Sequence, residues 1–245
     1  LNGFNNSNRQ SLFAKRPAPI QINYLGFPGT LGSKYFDYII ADKIVIPESS
    51  KNNYSEKVLY LPNCYQPSDT KRFLLDFNFK REQFNLPKNS FVFTCQNTYQ
   101  KIMPEVFNIW MDILRSVPDS ILWLADQYQL GKDNLLKEAN LRGIESKRLI
   151  FNKRDIVPKD QEVNRISRYL ASYKLADLFL DTFPYNGHTT CSDALLAGLP
   201  VVTFAGGSFS SRVAGSLLYD LELTELATGS YSEYKDKALS LAINS

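Results

Sequence analysis

The sequence predicts an α/β protein organised around a parallel, doubly wound sheet, with a shorter and less regular stretch in front of it. Three observations carry that reading. From Ser90 onward, short apolar runs alternate with amphipathic segments of roughly ten or more residues, the pattern of successive βαβ units. Proline and glycine punctuate the joins, with Pro104 at a helix start and Gly143 and Gly198 at helix ends. The chain has 245 residues, of which 44% are hydrophobic and 22% charged, large for one compact core and comfortable for two small α/β domains or one and a half.

The stretch IQINYL at 20–25 reads as a short strand, and the turn-rich loop Gly26-Phe27-Pro28-Gly29-Thr30-Leu31-Gly32 follows it. An amphipathic piece at 34–40 leads to the apolar run Ile44-Val45-Ile46, which Pro47 closes. Residues 58–61 form another strand, stopped by Pro62. Residues 63–87 are polar, carry the basic cluster Lys71, Arg72, Lys80 and Arg81, and read as a linker with one helical turn. FVFTC at 91–95 opens the regular region as a continuous apolar strand. Behind Pro104, Val106, Phe107, Trp110, Ile113, Leu114 and Val117 recur at helical spacing. SILWL at 120–124 is the next strand, and 133–141 is a short helix. RLIF at 148–151, a helix at 161–174 and ADLFL at 176–180 continue the alternation. A helix at 190–197, the strand PVVTF at 200–204 and helices at 208–219 and 232–241 complete it. Trp110 and Trp123 fall at core positions, and Cys95 and Cys191 read as small buried residues.

Composition narrows the function classes. With 28 basic and 25 acidic side chains the net charge is only +3, too balanced to argue a nucleic-acid or membrane-surface protein from electrostatics. No apolar run is long enough to span a bilayer. Three cysteines without a CxxC, together with one histidine, provide neither a metal-ligand cluster nor a disulfide framework, so a reducing, cytoplasmic setting is expected. LNGFNNSNRQ at the start has no apolar signal core and no initiator Met, and reads as the middle of a longer chain. His188 is the one imidazole available to any chemistry.

Parallel doubly wound sheets bind ligands outside the carboxyl ends of their strands, which directs attention to the loops after Cys95, Leu124, Phe151, Asp181 and Phe204. The loop after Asp181 reads Thr182-Phe183-Pro184-Tyr185-Asn186-Gly187-His188-Thr189-Thr190-Cys191-Ser192-Asp193. A tight turn at Asn186-Gly187 would deliver His188, Thr189 and Thr190 to a helix start, where free N–H groups and the positive end of the helix dipole suit a phosphate. Thr190-x-x-Asp193 equally fits a capping box. The two uses are compatible, since one threonine can cap while the other binds.

Three ordered blocks of sequence resemble the protein O-linked N-acetylglucosamine transferases, glycosyltransferase family 41, including its SPINDLY-like members. They are RPAPIQINYLGFPGTLGSKYFDYIIADK, CQNTYQKIMPEVFNIWMDILRSVPDSILWL and LDTFPYNGHTTCSDALLAGLPVVTFAGGSFSSRVAGSLL, and the likeness runs over essentially the whole chain. The resemblance implies a GT-B architecture in which residues 1–85 end an N-terminal catalytic lobe and its linker, and residues 86–245 form the C-terminal, Rossmann-like nucleotide-sugar lobe. It implies inverting transfer of N-acetylglucosamine from UDP-GlcNAc to protein Ser or Thr hydroxyls, without a metal or other cofactor. Carried over by position, Lys101 matches the lysine that neutralises the donor diphosphate and, with His188, is the expected catalytic pair. His188, Thr189 and Thr190 match residues touching diphosphate and sugar, and Asp193 matches the carboxylate on the ribose. Gly26, Pro28 and Gly29 match the loop of the opposite lobe that faces the sugar. Tyr169 stands where the family places a histidine stacked on uracil, and an aromatic ring keeps the stacking while changing the hydrogen bonds. Ile166 and Ser172 stand where the family has a base-contacting lysine and an arginine.

The same likeness places the tetratricopeptide array and the first half of the N-terminal lobe, with its acceptor-side histidine and aspartate, upstream of Leu1. The large insert of animal members is absent, as in bacterial and plant-like relatives. Two further readings share the fold: a protein O-fucosyltransferase using GDP-fucose, and a non-catalytic nucleotide-sugar-binding fragment. The His188 and Asp193 pair favours N-acetylglucosamine, because the fucosyl enzymes resemble Thr and Glu at those places.

Overall fold

A computed structural model of the chain describes residues 9–69, 77–153 and 162–244. The first eight residues, Lys71 and Arg72 of the basic cluster, and the start of the helix expected at 161 lie outside them. In the first lobe β1 (Ile22–Asn23), β2 (Tyr38–Ala41) and β3 (Lys57–Tyr60) form a parallel sheet in that order. The register pairs Ile22 with Tyr38 and Ile40 with Leu59.

Two expectations for this lobe change. The first strand is only two residues long, and the second is Tyr38–Ala41, where an amphipathic piece was expected. The apolar run Ile44–Val45–Ile46 is a turn outside the sheet. Asp42 ends β2 because its Oδ1 accepts the N–H groups of Ile44 and Val45 at 2.8 and 2.9 Å, which folds the chain back on itself. Val45 and Ile46 are nevertheless fully buried, packed with Ile39, Tyr65, Phe209 and Val213.

The second lobe follows the expected alternation closely. It runs β4 (Phe91–Cys95), α1 (Pro104–Ser116), β5 (Ser120–Asp126), α2 (Gln129–Leu141), β6 (Leu149–Lys153) and α3 (Glu162–Ser172). It continues through β7 (Leu178–Leu180), α4 (Thr189–Leu196), β8 (Val201–Phe204), α5 (Val213–Asp220), β9 (Ala227–Thr228) and α6 (Tyr231–Ile243). The helix expected at 208–219 is instead one 3-10 turn, Phe209–Ser211, followed by α5. The strand β9 is an addition to the expected set.

All six strands are parallel, in the order β6-β5-β4-β7-β8-β9. The chain builds outward from β4 to β6 and then returns to lay β7 on the other side of β4. The crevice between the carboxyl ends of β4 and β7 is therefore the topological switch point, the place where such sheets bind ligands. Buried Phe93, Trp110, Met111, Ile113, Leu114 and Phe179 belong to the core built around this sheet, and α6 packs on both α1 and β8.

The segment before β4 packs on the second lobe. Phe84 and Leu86 join its core. Arg81 grips Asp177 with Nη2 at 2.9 and 2.7 Å and donates Nε to the Leu175 carbonyl at 3.0 Å. The helical turn expected in the linker is the 3-10 turn Arg81–Phe84.

Candidate functional site

The crevice is organised by a carboxylate that no solvent reaches. Asp181 follows β7 and is completely buried. Its Oδ1 accepts the N–H groups of Thr182 (2.8 Å) and Gly187 (2.7 Å) and the Nδ2 of Asn97 (3.1 Å), while Oδ2 accepts Thr203 Oγ1 (2.7 Å). Burial pushes its pKa up, and these hydrogen bonds push it back. From behind, Tyr234 of α6 donates its hydroxyl to the Asp181 carbonyl at 2.9 Å and accepts Trp110 Nε1 of α1 at 3.0 Å.

Around this carboxylate the loop from Thr182 to His188 takes one path. Its bend falls at 183–185, with a cis Phe183–Pro184 peptide, and not at the Asn186-Gly187 turn expected from the sequence. Thr182 Oγ1 donates to the Tyr185 carbonyl, Asn186 Nδ2 to the Thr182 carbonyl, and the Asn186 N–H to the Ser210 carbonyl, at 2.8, 2.9 and 3.0 Å. A Cβ on Gly187 would stand 2.5 Å from Thr190 Oγ1 and 2.7 Å from both Asn97 Oδ1 and Cys191 Sγ, so only glycine fits there.

Lys101 lies in the 3-10 turn Tyr99–Lys101 after β4 and reaches across the crevice to this loop. Its Nζ donates to the Asn186 carbonyl at 2.7 Å and sits 4.2 Å above the Tyr185 ring. Burial lowers its pKa, with Asp181 pulling the other way. Among the described residues it forms no ion pair, and its Nζ is held by a carbonyl dipole and a ring face. His188 stacks on the same Tyr185 ring, 4.9 Å between centroids at 20°, with Nε2 3.4 Å from the Ser210 carbonyl. Burial first, and then the Lys101 cation, hold its pKa down to about 4, so the imidazole is neutral at pH 7.

The helix start differs from the capping-box expectation. His188 is the N-cap of α4, and no side chain caps it. Thr190 sits inside the first turn with its hydroxyl donated to Asn97 Oδ1, a bond reaching 93 residues along the chain. Thr189 is exposed at the helix mouth. Asp193 is buried one turn on, near enough to Tyr173 to help push that phenol's ionisation up behind the larger effect of burial. Tyr169 on α3 meets the Tyr173 hydroxyl at 2.5 Å, and Tyr173 in turn approaches the Thr190 carbonyl at 3.5 Å. Ser172 Oγ donates to the Tyr169 carbonyl at 2.6 Å, and Ile166 is exposed.

The structure thus gathers Lys101, His188, Thr189 and Thr190 around Tyr185 and Gly187, with Tyr169 and Asp193 joined to the cluster through α3 and α4. Gly26, Pro28 and Gly29 are held within the first lobe. Asn23 Nδ2 donates to the Gly29 carbonyl at 3.0 Å, and Leu25 takes the positive φ of 64° while the two glycines do not. Tyr24, beside this loop, donates to the Tyr65 carbonyl at 3.0 Å. Burial raises the Tyr65 phenol's pKa, and Cys64, Asp42, Tyr185 and Tyr24 add to it. Asn97, Asp181, Tyr185 and Tyr234 are the members that sequence reasoning missed. Among the described residues no cluster of three or more His, Cys, Asp or Glu side chains is arranged to hold a metal. Among them, too, no helix is long and apolar enough to cross a membrane.

The profile of glycosyl transferase family 41 matches residues 1–80 and 76–245 of this chain. The chain belongs to glycosyltransferase family 41. It is 40% identical over its full length to a probable UDP-N-acetylglucosamine–peptide N-acetylglucosaminyltransferase, SEC, of Arabidopsis thaliana, covering 25% of that protein. It is 32% identical over 99% of its length to the Arabidopsis SPINDLY protein, which carries the same kind of name and of which it covers 26%. A mutant of the Thermobaculum terrenum O-GlcNAc transferase superposes with a TM-score of 0.79 and 31% identity, over 94% of this chain and 42% of that one. The family 41 chain therefore has the GT-B fold, and it spans about a quarter of the length of the curated relatives it matches.

Proposed function

We propose that this chain carries the donor-binding half of an inverting protein O-GlcNAc transferase, taking UDP-GlcNAc as donor and protein Ser or Thr hydroxyls as acceptors. Residues 1–85 then end the acceptor-side lobe and residues 86–245 form the donor lobe. The tetratricopeptide and remaining N-lobe segments belong upstream, and the enzyme works in the cytoplasm. The observation that carries the reading is Lys101, a half-buried ammonium whose partners among the described residues are a carbonyl and a ring face, set opposite the α4 N-terminus at the switch point.

In this reading the acceptor hydroxyl displaces the nucleoside diphosphate from the anomeric carbon in a single step. The charge gathering on the departing diphosphate meets the Lys101 ammonium, the first-turn N–H groups of α4 and the Thr189 hydroxyl. These groups supply the neutralisation that a divalent cation provides in other transferases, so no metal is required. His188 adds a neutral hydrogen-bonding edge beside the same oxygens. The Asp193 carboxylate would meet the ribose and the Tyr169 ring the base, and Gly26, Pro28 and Gly29 would face the sugar from the other lobe.

Titrating UDP, UDP-GlcNAc and GDP-fucose into the chain by calorimetry tests this. UDP and UDP-GlcNAc should bind, and Lys101→Ala should abolish that binding with an unchanged circular dichroism spectrum. In the full-length enzyme the same substitution should lower turnover by about 100-fold or more, the usual cost of losing one such charge-stabilising donor. A preference for GDP-fucose would move the chain to the fucosyl transferases, and binding of none would leave it without a donor site.

A further inference from the structure

We infer that Asn97 is a positioning residue for the donor diphosphate: it takes the hydroxyl proton of Thr190, which makes Thr190 a pin within the cradle and leaves Thr189 as the threonine that donates to the ligand. This deepens the nucleotide-sugar reading above and rests on it. The argument starts from the Asn97 amide, which is buried to within 2% and whose orientation its neighbours dictate. Its Nδ2 faces Asp181 Oδ1 at 3.1 Å and Thr182 Oγ1 at 2.8 Å. That carboxylate oxygen already accepts two backbone N–H groups, and the Thr182 hydroxyl has given its own proton to the Tyr185 carbonyl. Both groups can only accept from Asn97, so the amide nitrogen is on their side and Oδ1 faces Thr190. An amide oxygen has no proton to offer, and the Thr190 hydroxyl must donate to it.

Two consequences follow. The Thr190 hydroxyl has no proton left for a phosphate oxygen, whereas the exposed Thr189 hydroxyl makes no hydrogen bond among the described residues. Asn97 also stitches three strand ends together. It ties the first turn of α4 to the end of β4, four residues before Lys101, and its carbonyl accepts Gln127 Nε2 from the end of β5 at 2.9 Å. Lys101 and the α4 N–H groups thus approach a diphosphate from either side at a spacing that Asn97 sets. Gly187 makes this possible, because any Cβ there would push Thr190 Oγ1 and Asn97 Oδ1 apart.

The test is a double-mutant cycle on UDP affinity, measured calorimetrically with the 245-residue chain. Thr190→Val should weaken UDP about tenfold, and Asn97→Ala, which also removes the bonds to Asp181 and Thr182, at least as much. The double mutant should be no weaker than Asn97→Ala alone, since that substitution already removes the Thr190 bond. Thr190→Ser, which keeps the hydroxyl, should restore affinity to within about threefold of wild type, and Thr189→Val should add its full effect to that of Thr190→Val. Should Asn97→Ala fail to fold, Asn97→Ser, which retains a donor for Asp181, replaces it in the cycle. Effects that multiply for Asn97 and Thr190, a Thr190→Val that binds UDP like wild type, or a Thr190→Ser as weak as the valine would each overturn the inference while the donor reading stands. A wild-type chain that binds no UDP overturns the donor reading and takes this inference with it.

Discussion

His188 shows how the same residue can be legible in its position and hidden in its state. Its place at a helix start could be read from the NGHTT loop, because the carboxyl ends of parallel strands are where such sheets bind. Its neutrality could not, because that comes from burial and from a lysine 87 residues away in sequence. The consequence is a stability that depends on pH in a defined window. The unfolded histidine titrates near 6.5 and the folded one near about 4. Between those values the unfolded chain binds the extra proton, so stability is complete above the unfolded pKa and falls as the pH drops toward the folded one. The full loss from this residue is on the order of 3 kcal/mol. Urea midpoints measured between pH 8 and 5 should decline for the wild type and stay flatter for His188→Gln. Parallel curves would mean that the ring is solvated. Thr190 was misread for a related reason: the S/T-x-x-D pattern is local, and its hydroxyl is claimed by Asn97 from a distant loop.

Among the elements, β4 to β8 were readable because each is a short buried run between clear breakers, and their helices carry one apolar stripe. The first lobe was harder. Tyr38–Ala41 and Ile44–Ile46 are both short apolar runs, and Asp42 turns the chain between them. Strand β9 has two residues, too few for any periodicity. The coupling of α1 and α6 to the crevice was invisible for a different reason, since Tyr234 lies 53 residues beyond the carbonyl it serves. That hydroxyl joins the Trp110 indole to the loop bearing Asp181 within an interior that water does not enter. Tyr234→Phe keeps the ring but leaves the indole N–H and the carbonyl unpaired, and should cost about 1–3 kcal/mol. Thermal unfolding of the mutant measures that cost. UDP affinity should fall less than in Asn97→Ala, because Tyr234 supports the loop from behind while Asn97 holds its ligand-facing side.

For the molecule as a whole, the junction between lobes decides whether the loop carrying Gly26, Pro28 and Gly29 and the Lys101 crevice share one frame. Asp42, 5% exposed, is the centre of that junction. Besides closing the turn after β2, its Oδ2 accepts the Tyr65 N–H at 2.8 Å and the hydroxyl of Ser216 on α5 at 2.6 Å, so one carboxylate bonds both lobes. Tyr65 then lies edge-on to Phe209 at 4.9 Å, and Arg212 Nη1 reaches the Val45 carbonyl at 3.4 Å. The apolar cluster around Ile39, Val45 and Ile46 is small and takes Phe209 and Val213 from the second lobe, so the first lobe depends on this contact for a core. Asp42→Ala would strand three backbone N–H groups at once and remove the bond to Ser216 that crosses between the lobes. The expected result is loss of a single cooperative unfolding transition. Trp110 and Trp123, both in the second core, should report a midpoint close to wild type by fluorescence. The first lobe should become protease-sensitive at lower urea. In the wild type, proteolysis and fluorescence should share one midpoint. If they also coincide in Asp42→Ala, the apolar contact alone holds the lobes together and the carboxylate serves only the turn.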